Sequence, residues 1–139
     1  MADDITYLQL PPESALPVIM TEPCRMVVIA SVGVSADWQA QVSHWIVRHG
    51  CRYMMAWGVE CSSWDDAVDM ANLDRFDFET IPDEAFVMTT WHDDEPLEEV
   101  FSFAKHAVSH PLFDLKRTII LDISQEDRSH RFLKAYAAA

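Results

Sequence analysis

The sequence predicts a single α/β domain built on a mostly parallel sheet. Short, unbroken apolar runs recur along the chain. Segments with helical spacing separate them, and cap or turn residues stand at the junctions. At 139 residues the chain fits one ordinary domain, long enough to bury a core without a metal or disulfide staple.

Residues 1–23 read as an extended lead-in. Ile5 to Leu10 is a candidate edge strand, and Pro11, Pro12, Pro17 and Pro23 break regular structure behind it. The α/β domain proper spans 24–139 and opens with Met26-Val27-Val28-Ile29-Ala30, an apolar, β-branched run suited to a strand buried on both faces. Ser35 then caps a helix with Asp37 in its first turn. Trp38, Val42, Trp45, Ile46 and His49 recur at helical spacing, and Gly50 ends it. The second strand is Arg52 to Trp57, closed by Gly58. Ser63, with Asp66 three residues on, is expected to cap the second helix, whose buried stripe is Trp64, Ala67, Val68 and Ala71.

Phe86 to Thr90 reads as the third strand. Asp94 or Glu95 starts the third helix with Pro96 in its first turn. Leu97, Val100, Phe101, Ala104 and Val108 line its inner face, and Pro111 stops it. Thr118 to Ile123 is the fourth strand, and Ser124 with Asp127 caps a short last helix carrying Phe132, Leu133 and Tyr136. Such repeats imply right-handed crossovers and a three-layer α/β/α sandwich around about four strands. The expected strand order is 2-1-3-4 (flavodoxin-like), with 3-2-1-4 (Rossmann-like) as the alternative.

Charge is regional. Residues 60–99 hold fourteen of the 23 acids and one base, Arg75, so that segment alone carries the whole net charge of −13. Such a field repels nucleic acid and anionic membrane and attracts cations or basic proteins. Cys24, Cys51 and Cys61 are odd in number and show no Cys-x-x-Cys spacing, which fits reduced thiols better than a disulfide or zinc framework. No apolar run approaches the length of a membrane helix, and the start MADDITYLQL lacks a secretory pattern, so a cytoplasmic protein is expected.

Ligands of parallel α/β sheets sit beyond the carboxyl ends of the strands, which directs attention to four loops. The first, Ser31 to Ser35, has one glycine and no phosphate-binding fingerprint. Carboxylates crowd the starts of the second and third helices, which argues against a nucleotide. Acids at helix starts offset the macrodipole, so Asp66, Asp94 and Glu95 have a structural explanation. Capping does not account for Glu60, Asp65, Asp93, Glu98 and Glu99 as well. Glu60, Asp65, His92 and Asp93 are candidate ligands for Mg²⁺, Mn²⁺ or Zn²⁺, although their spacing matches no recognised metal motif. Cys61 with His92 makes a poor nucleophile–base pair, because nearby carboxylates hold a thiol protonated. Trp57, Trp64 and Trp91 flank the same loops. Trp64 also falls on a core stripe, whereas indoles beside carboxylates favour cations. Arg128, Arg131 and Lys134 read as a solvated helix face, too few for a nucleic-acid site.

The run Gly50-Cys51-Arg52-Tyr53-Met54-Met55-Ala56-Trp57-Gly58, followed by Cys61, Trp64-Asp65-Asp66 and Val68-Asp69, resembles an uncharacterised family of small bacterial proteins, a domain of unknown function. Thr89-Thr90-Trp91-His92 with Glu95, Glu99, Val100 and Phe101 carries the same likeness, which spans about residues 50–103. The resemblance implies a bacterial source and transfers no activity or site residue.

The functional expectation is therefore a non-catalytic binding module of inhibitor or immunity-like type. It would take a basic protein or cationic ligand on a rim formed by Trp57, Glu60, Trp64, Asp65, Trp91, His92, Asp93 and Glu95. The alternative is a divalent-metal-dependent hydrolase using the loop carboxylates and His92.

Overall fold

The computed structural model describes residues 4–139. Five strands form one sheet: β1 (Asp4–Leu10), β2 (Cys24–Ala30), β3 (Cys51–Gly58), β4 (Met88–His92) and β5 (Arg117–Ile123). All pairings are parallel, in the order β1-β5-β2-β3-β4. The four strands expected in 24–139 thus take the Rossmann-like alternative, not the flavodoxin-like order. The lead-in strand adds a fifth at the edge beside β5. Every residue of β2 is buried, as its unbroken apolar run requires at the sheet centre.

Helices α1 (Ala36–Arg48) and α2 (Cys61–Arg75) cover one face, packing Trp38, Trp45, Ile46, Trp64 and Val68 on Met26, Val28, Met54 and Leu121. Helices α3 (Leu97–His106) and α4 (Ser129–Ala138) cover the other, where Phe101, Phe132 and Tyr136 meet Val27, Ile29, Met55 and Ile120. The proline-rich segment 11–23 takes the place of a crossover helix between β1 and β2. Its Leu16 and Ile19 pack on the α1 side. Its carbonyls are satisfied by indoles of α1: Trp38 Nε1 donates to Ser14 O and Trp45 Nε1 to Pro17 O, both at 2.8 Å.

Ser35 caps α1 as the sequence implies, its hydroxyl accepting from Trp38 N at 3.2 Å. Gly50 follows with φ +93°. A Cβ there would stand 2.2 Å from Glu22 O, so glycine alone lets the chain turn into β3 against the strap.

Other boundaries differ from expectation. Ser63 does not cap α2. The helix begins at Cys61 after Glu60, which is left-handed at φ 51°, and Ser63 lies in the first turn with its hydroxyl donating to Glu60 O. The third strand starts at Met88 instead of Phe86, because Asn72 of α2 bonds both Ala85 O and Val87 N and holds that stretch off the sheet. Pro96 stands at the cap of α3 and not in its first turn. The helix ends at His106, four residues before the residue that precedes Pro111. The last helix starts at Ser129, since Ser124 Oγ closes a local turn on Glu126 N while Asp127 Oδ1 accepts from Ser129 N.

Candidate functional site

At the carboxyl ends of β3 and β4 the expected rim separates into different faces. Side chains alternate along β4. Thr89 points to α2, where its hydroxyl donates to Asp69 Oδ1 at 2.8 Å. His92 points to α3, its ring 5.3 Å from Phe103, with Thr90 Oγ1 at 2.9 Å and the Glu95 carboxylate on Nδ1. Asp65, on α2, is only 5% exposed, and its Oδ2 has no hydrogen-bond partner. Burial, and then the neighbouring Asp69 charge, push its carboxyl above the usual carboxylate range. Glu60 is exposed on the loop beside Gly33, and Asp93 is exposed beyond β4.

Asp65 and His92 thus lie on opposite sides of the sheet, and the four metal candidates do not converge. Among the described residues, no three His, Cys, Asp or Glu side chains gather so as to hold a metal ion. Glu60, Asp65, His92 and Asp93 therefore form no common donor set. Cys61 is likewise buried on the α1/α2 side, away from His92.

The indoles also part company. Trp64 is 2% exposed and belongs to the core. Trp57 is half-buried, with Nε1 donating to Glu95 O at 2.7 Å. Trp91 stands 51% exposed on β4, beside exposed Met88 and Phe86. β4 has only β3 as a strand neighbour and so lies at a sheet edge, with Trp91 on the α2 face and Met88 on the α3 face. Asp83 and Glu84 precede it, Asp93, Asp94 and Glu95 follow it, and Asp69 lies alongside.

A second constellation escaped the sequence reading. The strand order reverses at β2, so the switch-point crevice opens between the ends of β2 and β5. The chain fills it with its own side chains. Asp122, fully buried at the end of β5, accepts from the Tyr7 hydroxyl and from Arg128 Nε (3.1 Å) and Nη2. Arg128 Nη2 also donates to Ser31 Oγ, and the Arg128 amide donates to the Tyr7 oxygen at 2.9 Å. Burial, reinforced by the Asp122 bond, pushes the Tyr7 phenol up to about 12. Asp122 in turn holds the Arg128 guanidinium more firmly protonated. Arg128 is therefore not part of a solvated stripe. Its cue was the lone aspartate in an apolar strand, which needs a buried cation. Nearby, Glu13 occupies the start of α1, its carboxylate accepting from Ser35 N at 3.0 Å and from the Ser35 hydroxyl.

Fold and edge together define a five-stranded parallel α/β domain with its switch point filled by its own side chains and β4 at one edge of the sheet. The chain belongs to a family described as a domain of unknown function, DUF7684, which matches residues 5–139. The likeness read over residues 50–103 thus extends through β1 to the end of α4. No curated protein and no solved structure matches the chain. Among the described residues, no helix is long and apolar enough to cross a membrane.

Proposed function

We propose that this protein is a non-catalytic binding module that takes a basic, extended polypeptide segment along the outer edge of β4. The observation that carries this reading is the open edge itself, with Trp91 half exposed between two groups of carboxylates. An unpaired edge strand offers backbone donors and acceptors to an added strand, while side chains flanking it select the sequence. Trp91 supplies apolar contact on one face of the strand and Met88 on the other. Asp69, Asp93 and Asp94 favour lysine or arginine, and an indole face adds attraction for the same cations. A second copy of the chain would bring two such acidic edges together, so a basic partner is the complementary occupant. The role fits an inhibitor or immunity-like protein acting in a bacterial cytoplasm.

Titration with a peptide of alternating lysine and valine tests this. The amide resonances of Met88–His92 are expected to shift and saturate, and to respond less as salt rises. The corresponding glutamate–valine peptide should leave them still. Trp91→Ala should weaken binding about tenfold without lowering the melting temperature. Unmoved β4 amides, or equal affinity in Trp91→Ala, would overturn the reading.

A further inference from the structure

We propose a second, independent site: a cavity between α3 and α4 that binds a small organic anion, its oxyanion head on Arg128 and Arg131 and its apolar body against Trp57. The cavity has a volume of about 230 Å³, with Trp57, Pro96, Leu97, Phe132 and Ala135 as apolar wall and Glu98, Arg128 and Arg131 as polar wall. That size is below the usual range for drug-sized ligands and suits a small molecule.

The two guanidiniums are gathered by one ring. Arg128 Cζ lies 4.8 Å and Arg131 Cζ 5.5 Å from the Phe132 centroid. Arg128 is also fixed in place. Its Nε and Nη2 are held by Asp122 and Ser31, and Nη1 has no partner among the described residues. Arg131 pairs with no carboxylate among the described residues, in a chain whose net charge is −13. Glu98, the one acid of the wall, makes no ion pair with either guanidinium. Asp122 offsets the Arg128 charge, which leaves Arg131 as the cation of the cavity wall without a carboxylate partner among the described residues. A guanidinium already oriented by a buried aspartate loses little freedom on binding, and its planar fork matches the oxygens of a phosphate or carboxylate. Trp57 is fixed by its bond to Glu95 O and forms part of the apolar wall.

Calorimetry on the full chain with phenyl phosphate, benzoate and inorganic phosphate tests the site. Saturable binding of phenyl phosphate or benzoate is expected, and whichever binds more tightly identifies the head group. Arg131→Ala, at an exposed position, should weaken that ligand about tenfold, and Glu98→Gln should tighten it. Trp57→Leu should weaken the ring-bearing ligand while leaving inorganic phosphate unaffected. Absence of saturable heat for either ring-bearing anion up to about 10 mM would overturn the proposal. So would an affinity that ignores both Arg131→Ala and Glu98→Gln.

Discussion

Replacing Arg128 by methionine should destabilise the fold far more than neutralising its partner, and the asymmetry follows from burial. Asp122 is fully buried, whereas the Arg128 side chain keeps 21% of its exposure. Without the guanidinium, Asp122 retains only the Tyr7 hydroxyl as a side-chain donor among the described residues. A buried carboxylate stripped of its cation typically costs about 3–5 kcal/mol. Asp122→Asn leaves the opposite remnant: an arginine that can turn partly toward water and still meet an amide oxygen. That cost is about 1–3 kcal/mol. For a chain of this length the first loss corresponds to a melting temperature lower by roughly 10–20 °C. Replacing both together, Asp122→Leu with Arg128→Met, removes the uncompensated charge and should recover most of the loss. Urea unfolding followed by far-ultraviolet circular dichroism at neutral pH measures all three variants. If Arg128→Met costs under about 1 kcal/mol, or less than Asp122→Asn, the electrostatic account of the switch point is wrong.

Asp65→Asn should stabilise the protein at neutral pH by about 1 kcal/mol, because the native carboxyl is buried with an unpartnered oxygen. Its folded pKa is raised, so the native state holds the proton more tightly than the unfolded chain. Stability from protonated Asp65 is thus full below the ordinary carboxyl value and lost as pH rises through the raised one. The variant's advantage should accordingly vanish below about pH 4, and urea midpoints at both pH values would show it. Gly50→Ala should cost about 2–4 kcal/mol, from the left-handed backbone and the collision with Glu22 O, read as a lower urea midpoint. Cys24, Cys51 and Cys61 are all buried, so none should react with iodoacetamide until the protein opens. Although the Cys51 hydrogen bond lowers the Cys24 pKa, prompt labelling of Cys24 would contradict its burial.

The legible parts of the fold were those where one residue class does one job. Met26 to Ala30 and Thr118 to Ile123 could only be two-sided strands, and Ser35 and Gly50 bounded α1 correctly. Strand order was not legible, because a crossover to the neighbouring strand and one past it need similar lengths of chain. The cap of α2 was misread because serine at position 63 serves its hydroxyl equally well inside the first turn. The rim residues are divided between faces for a geometric reason. Neighbours in sequence at a strand end point to opposite faces, so His92 and Trp91 stand on different faces of the sheet even though they adjoin. Tyr7, Asp122 and Arg128 come from both ends of the chain, a convergence that no local spacing reveals.

The sheet is assembled out of turn. β1 and β2 follow one another in sequence, yet β5 lies between them, pairing Asp4 with Arg117 on one side and Cys24 with Arg117 on the other. During synthesis β1 and β2 must wait, separated by a vacant lane, for β5, which follows only after α1, β3, α2, β4 and α3. Closing that lane demands contacts between distant parts of the chain, the kind that slow folding. Until then the side of β2 that faces this lane stays unpaired, the kind of exposed strand edge that invites wrong pairing.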